Sequence, residues 1–303
     1  MGCLCALLLQ GPPLHMTLDL STLGCDGLCR IMAPQHPTLT SFATAPLTAA
    51  ELPQPSSGLR TFFSGAAGQR CLRAISGYFH ATLEGAEQIP KHGPALIVSN
   101  HALFALDSAV LGSLLVEQTQ RYPRFLADRA LWRVPGLRQL IQAIGGLPGE
   151  PNSAGALLRD GELVVVYPGG VDDSLKSSEQ NHHLMWKKRA GFARVAMAAR
   201  VPIIPIVGLG IDDMYKVIGR EKFLGRRVFG SERYDLPVVV GAFGTLLPRR
   251  AQQHYYVLPP IDTRGDPANE QDVERVRAAA YNAIENRLRS YREDHREQHR
   301  EQP

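Results

Sequence analysis

The 303-residue chain has no uninterrupted apolar run of about 20 residues, the length that a membrane-spanning helix requires. Its richest apolar stretch, residues 95–116, is broken by Asn100, His101 and Asp107. There is no His-Glu-x-x-His pair for a catalytic zinc and no Gly-x-Ser-x-Gly elbow to present a serine nucleophile, although ten histidines are scattered along the chain. A net charge of +4 falls short of a nucleic-acid-binding footprint, yet it suits contact with anionic lipid headgroups. The acidic pairs Asp172–Asp173 and Asp212–Asp213 lack a spaced third ligand, so they read as loop carboxylates and no metal site is expected. Four of the five cysteines (Cys3, Cys5, Cys25, Cys29) fall in the first 29 residues, at spacings unlike those of common zinc modules. Only Cys71 remains beyond them, which excludes a disulfide framework there and suits a reducing compartment.

What is present is ordinary globular material: 44% hydrophobic and 20% charged residues. Residues 1–57 carry few charges and much Pro, Thr, Ser and Leu without a lasting period. They are expected to be a disordered leader, with Met16 and Met32 as alternative starts. The opening MGCLCALLLQ departs from an acylation signal at Ala6 and lacks the basic start of a secretory one.

Residues 58–303 are expected to form one domain: an amphipathic helix over 58–84, a core over 85–285 and a C-terminal helix over 270–303. In the first, Leu59, Phe62, Phe63, Ala66, Cys71, Ile75 and Phe79 recur at helical spacing. Such a helix can lie in a membrane interface or pack on the core, and the pattern serves both. Strand signals at 95–98, 163–167 and 201–207 alternate with helical ones at 108–118, 134–144 and 188–200. Leu236–Val240 and His254–Leu258 read as edge strands, and 272–300 as a long charge-mixed helix. The alternation predicts an α/β fold, a mixed, mostly parallel sheet flanked by helices.

The chemistry concentrates in Ser99-Asn100-His101-Ala102-Leu103-Phe104-Ala105-Leu106-Asp107, where a strand ends on a histidine and a carboxylate follows five apolar residues later. Acyl transfer to an alcohol needs a base for the hydroxyl proton, and an imidazole, with an ordinary pKa of about 6.5, suits that role near neutrality. A carboxylate on its other nitrogen fixes the tautomer and stabilises the imidazolium. The intervening apolar run would keep water from a thioester. The bland alternative is a core histidine bonded to a helix-capping aspartate.

Further segments follow in a fixed order: Tyr167-Pro168-Gly169-Gly170, then Arg189-Ala190-Gly191-Phe192, then Val201-Pro202-Ile203-Ile204-Pro205-Ile206. With Asn100-His101 and Asp107 these blocks resemble the glycerolipid/lysophospholipid (PlsC-like) acyltransferase family over roughly residues 85–285. The resemblance implies a glycerol-3-phosphate acyltransferase-like fold, His101 and Asp107 as catalytic base and partner, and Asn100, Tyr167, Pro168, Gly169, Gly170 and Arg189 as substrate-binding residues.

Three departures narrow it. Most of the family places four residues between His and Asp, whereas this chain has five. The second block, Gly145-Gly146-Leu147-Pro148-Gly149-Glu150, lacks the family's Arg, and Gly169 stands where the third block has Glu. Those two positions help the family bind a phosphate-bearing acceptor. Their loss resembles the diacylglycerol-acyltransferase-like branch, including the acyltransferase part of plant phytyl ester synthases, and implies a neutral acceptor such as mono- or diacylglycerol or a long-chain alcohol. The donor would be an acyl-CoA or acyl-carrier-protein thioester, with no cofactor, and the chain would sit peripherally on the cytoplasmic face of a membrane. The competing readings are a lysophosphatidic-acid acyltransferase, a hydrolase, and a non-catalytic lipid-binding protein that kept the fold. Arg189 reads either as a ligand for a donor phosphate or as part of a solvated basic helix start with Lys187 and Lys188. His182–His183 reads as exposed, and Pro205 as shaping a strand edge.

Overall fold

The computed structural model describes residues 57–133, 136–143, 145–221 and 234–301, together with Thr48, Ala50, Leu52 and Arg227. The chain divides into two units, Met1–Ala45 and Pro46–Pro303, and everything described belongs to the second. The expected leader and its cysteines therefore lie almost wholly outside the described residues. Leu52 is an exception and is buried in the core.

Nine strands are described: β1 (Thr82–Glu84), β2 (Ala95–Ser99), β3 (Arg124–Ala127), β4 (Leu147–Pro148), β5 (Leu163–Val166), β6 (Ile203–Leu209), β7 (Lys216–Glu221), β8 (Leu236–Val240) and β9 (His254–Val257). Seven form one sheet in the order β1-β9-β6-β2-β5-β3-β4. The run from β6 to β4 is parallel, while β9 turns antiparallel to β6 and pairs in parallel with β1. This is the expected mixed, mostly parallel α/β sheet.

The helices are α1 (Ser57–Ser64), α2 (Ala66–Tyr78), α3 (Leu106–Thr119), α4 (Leu137–Ala143), α5 (Pro151–Arg159), α6 (Val171–Ser174), α7 (Gly191–Ala199) and α8 (Glu270–Glu301). Strand β2 is buried on both faces, and its alternation feeds two cores. Leu96 and Val98 pack with α5, α7 and the Val273, Val276, Ala280, Ile284, Leu288 stripe of α8. Ala95 and Ile97 pack on the other face with Val110, Leu111, Leu114 and Leu115 of α3. Among the described residues no helix is long and apolar enough to cross a membrane.

Several expectations need correction. The helix foreseen across 58–84 is two helices ending at Tyr78, followed by β1 at Thr82–Glu84; the helices divide because Gly65 is extended and α1 crosses α2 at Gly68, where a Cβ would sit 2.2 Å from the Phe62 carbonyl. Neither β8 nor β9 is an edge of the main sheet: β8 pairs with β7 in a separate hairpin, and β9 is interior, between β1 and β6. Pro205 likewise lies in a central strand. Its carbonyl accepts the Leu258 N–H, so its nitrogen faces the same side just past the end of β9, where no ladder bond is lost. Helix α7 begins at Gly191 rather than Lys188. For α4, Val134, Pro135 and Ile144 lie outside the described residues.

The α8 stripe makes a stability prediction. Ile284→Ala should cost about 2–5 kcal/mol, whereas exposed Arg289→Ala should stay within about 0.5 kcal/mol. Urea unfolding midpoints of the two variants check this.

Candidate active site

Register brings the site together. Strands β2 and β5 are adjacent and parallel with Val98 opposite Val166, so His101 and Tyr167 both emerge at the C-terminal rim, where open α/β sheets form their crevices. Their rings stack at 3.8 Å with planes 13° apart, and Tyr167 in turn lies parallel to Phe125 at 6.4 Å. Burial holds the Tyr167 phenol well above its ordinary pKa, and the nearby Asp107 charge adds to the effect.

Between His101 and Asp107 the chain makes a short 3-10 turn, Leu103–Ala105, with Phe104 and Ala105 both left-handed at φ +57 and +60. Two consecutive non-glycine residues there are costly. Asp107 then sits in the first turn of α3, 2.9 and 3.0 Å through its two oxygens from Nδ1 of His101, both side chains buried. Its Oδ1 also accepts the Ala102 N–H at 3.1 Å, which closes the turn. With Nδ1 facing the carboxylate, Nε2 is the nitrogen left for other chemistry.

The other expected residues fall around this pair. Asn100 uses both ends of its amide on Gly208: Nδ2 donates to the carbonyl and Oδ1 accepts the N–H, each at 2.8 Å, so the side chain straps β2 to β6. Arg189 donates to the carbonyls of Pro168 and Gly169 and to Oδ2 of Asp172, whose Oδ1 takes Lys187 at 2.8 Å. These contacts draw its carboxyl below the usual range against the opposing effect of burial. Arg189, partly exposed, grips the Tyr167–Gly170 turn. Gly170, at φ +50, has its N–H on the Tyr167 carbonyl. At Gly169 a Cβ would lie 1.9 Å from the Asp173 carboxylate, so a side chain there would have to displace Asp173.

Beside the turn lies a cavity of about 280 Å³ whose walls include Leu126, Val166, Tyr167, Phe192 and the charged Asp128, Glu150 and Arg189. Asp128 accepts from Tyr234 at 2.8 Å, and Glu150 meets Arg129 at 3.0 Å.

The carboxylates read as loop features are partly misplaced by that reading: Asp173 and Asp212 are fully buried. Lys176, which the sequence did not single out, is buried between Oδ2 of Asp212 at 2.7 Å and the His101 carbonyl at 3.1 Å. Asp212 also accepts the His182 N–H at 2.7 Å, and the His182 ring, half-buried rather than exposed, meets Asp213 at 3.2 Å. Asp173 accepts the Met185 N–H at 2.8 Å, and its other oxygen has no hydrogen-bond partner among the described residues. Among the same residues no cluster of three metal-ligating side chains is found.

Residues 80–208 match the family model described as Acyltransferase. Those residues, fewer than half of the chain, are similar to that family. A human protein named "DGAT1/2-independent enzyme synthesizing storage lipids" is 32% identical over 161 residues, covering 53% of this chain and 49% of that protein. The Gallus gallus protein of the same name is 36% identical over 157 residues, covering 52% and 46%. This chain therefore spans about half the length of the curated relatives it matches. Among solved structures it is similar to the 1-acyl-sn-glycerophosphate acyltransferase of Thermotoga maritima, at 19% identity and a TM-score of 0.47 over 75% of this chain and 86% of that one.

Burial pushes the Asp173 carboxyl up from 3.8 to about 6, against the pull of Lys176. The folded protein then holds this proton where the unfolded chain has released it, so stability falls as pH rises through that window. Relative to Asp173→Asn, the parent should lose about 3 kcal/mol between about pH 4 and 6 and no more above it. Denaturant titrations of both proteins across that range test the sign and the window.

Proposed function

We propose that this chain transfers an acyl group from a thioester to a lipid hydroxyl, with His101 as general base and Asp107 as its orienting partner. The observation that carries the reading is the buried Nδ1–carboxylate contact at the rim of a family-matched domain. Asp107 accepts from Nδ1–H, which leaves the Nε2 lone pair to take the acceptor's hydroxyl proton. The freed oxygen attacks the thioester carbonyl carbon and gives a tetrahedral oxyanion. Collapse breaks the C–S bond, and the thiolate takes the proton back from Nε2, so ester and thiol leave with no acyl-enzyme and no net proton change. Stacking on Tyr167 holds the imidazole plane, and Gly169 and Gly170 line the site. The donor is an acyl-CoA or acyl-carrier-protein thioester, and the step as written uses no metal.

For the acceptor we propose a neutral lipid, a mono- or diacylglycerol or a long-chain alcohol. Three things support it. The second block has no Arg, Gly169 offers no side chain to an acceptor, and Arg189 is already tied to Asp172 and to backbone carbonyls. Asp128 and Glu150 on the cavity wall would repel a phosphate monoester. The human and chicken relatives carry a name for synthesis of storage lipids, which agrees with this direction. The reading places the chain peripherally on the cytoplasmic face of a membrane.

His101→Ala should lower acyl transfer by about 10²–10⁴-fold while leaving the fold intact, measured as ester formed from radiolabelled acyl-CoA. Near-parental turnover in a folded variant would refute the base assignment. Offered diacylglycerol, a long-chain alcohol and lysophosphatidic acid side by side, the enzyme should prefer the neutral acceptors; preference for lysophosphatidic acid refutes that part alone.

A further inference from the structure

Among the described residues, three of the seven large apolar side chains left exposed fall in one short loop, and two of these are the most exposed of all. Phe243 is 96% exposed, Leu246 75% and Leu247 51%, all between β8 and β9. An isolated exposed leucine needs no explanation, but three large apolar side chains within five residues form a patch that water disfavours.

The loop is built to hold them outward. Gly241 N–H donates to the Thr245 carbonyl and Ala242 N–H to the Leu247 carbonyl, both at 2.7 Å. Thr245 N–H returns to the Ala242 carbonyl at 2.9 Å, and Leu247 N–H donates to the Thr245 hydroxyl at 3.1 Å. At Gly241 a Cβ would lie 1.9 Å from the Leu247 carbonyl, so closure requires glycine there. Phe243 itself is left-handed at φ +53, a costly conformation held for a ring that packs on almost nothing. Internal pairing of backbone groups is what a segment needs in order to enter a medium without water.

Charge and position name the occupant. The segment 241–252 contains Arg249 and Arg250, both exposed, and no acidic residue. The Arg250 guanidinium lies over the Tyr78 ring at 5.2 Å, and the Tyr78 hydroxyl donates to the Pro248 carbonyl, so the loop is anchored to the end of α2. On its other side Tyr215 donates to the Leu246 carbonyl at 2.9 Å and takes the edge of Phe104, itself 43% exposed, within the turn that joins His101 to Asp107. Through the buried Tyr215 ring the loop is thus linked to the rim of the site.

We propose that the Phe243–Leu247 loop is a docking wedge for a bilayer surface, its three apolar side chains entering the acyl boundary while Arg249 and Arg250 meet anionic headgroups. The wedge sets the mouth beside Phe104 against the lipid. It differs in place from the helix expected to do this over 58–84, and it does not depend on the transferase reading.

The test is cosedimentation of the full chain with extruded vesicles, either pure phosphatidylcholine or with about a third phosphatidylglycerol. The parent should bind both, the anionic vesicles more tightly and with salt-sensitive affinity. Phe243→Ser/Leu246→Ser/Leu247→Ser should bind both at least about tenfold more weakly with an unchanged thermal unfolding curve. Arg249→Gln/Arg250→Gln should lose mainly the preference for anionic vesicles and the salt dependence. His101→Ala should bind like the parent, which separates docking from catalysis. No vesicle binding by the parent, or parental binding by the triple variant, overturns the proposal. It is also overturned if sedimentation velocity shows self-association that the triple variant abolishes while vesicle binding stays, since the patch then covers a second copy of the chain.

Discussion

Asp107 has to reach back to a histidine six residues earlier while standing in the first turn of a helix, and much of the rim follows from that demand. A straight continuation of β2 would carry His101 and Asp107 apart. The chain instead folds through two left-handed residues, Phe104 and Ala105, and Asp107 secures the turn by accepting the Ala102 N–H with an oxygen that also faces Nδ1. The helix N-terminus favours the negative charge placed there. Since the backbone cost of Phe104 and Ala105 is recovered only if the carboxylate arrives, the turn and the pair are one unit rather than two neighbouring features.

Beneath this unit lies a second layer of charge. Lys176 spans the Asp212 carboxylate and the His101 carbonyl in a fully buried setting, and Asp173 lies close enough for its acidity to respond to Lys176, His101 and Asp212. Burying such a pair costs several kcal/mol per ion before attraction returns any of it, so an apolar core of equal volume would serve stability as well. What an apolar core would not supply is a directed donor on the carbonyl of residue 101. Together with the Asn100 strap to Gly208, the ammonium fixes the backbone on both sides of the histidine. Arg189 performs the matching task for the turn that carries Tyr167.

The sequence announced the parts of this site whose signal is local. A run of apolar residues ending in Asn-His reads as a buried strand with a residue at its tip, and β2 is that strand. The His–Asp pairing was legible because the whole segment is contiguous. Asp173, Lys176 and Asp212 were not legible, since nothing local marks these charged residues as buried; Lys176 meets Asp212 and the His101 carbonyl only through tertiary packing. The two edge-strand misreadings have a similar origin. Strand order is set by pairing across the chain, and nothing within His254–Val257 reveals that β1 closes over it. The break at Gly65 was hidden because the apolar spacing of α1 and α2 stays in phase through it.

On the proposed reading, the unit at the rim also settles how a water-sensitive step could run at the surface of a protein. His101 is nearly buried under Tyr167, yet the turn that positions its partner carries Phe104 outward, so the exposed face beside the base is apolar. Such a face is a poor site for water in solution. Against lipid it becomes the continuation of the hydrocarbon, and a lipid hydroxyl can arrive without crossing an aqueous gap. The five-residue spacing then has a physical sense beyond fitting Asp107 to His101: the left-handed turn within it leaves an aromatic ring exposed at the mouth. Chemistry and access would be set by the same few residues, so a change at Phe104 or Ala105 acts on both together.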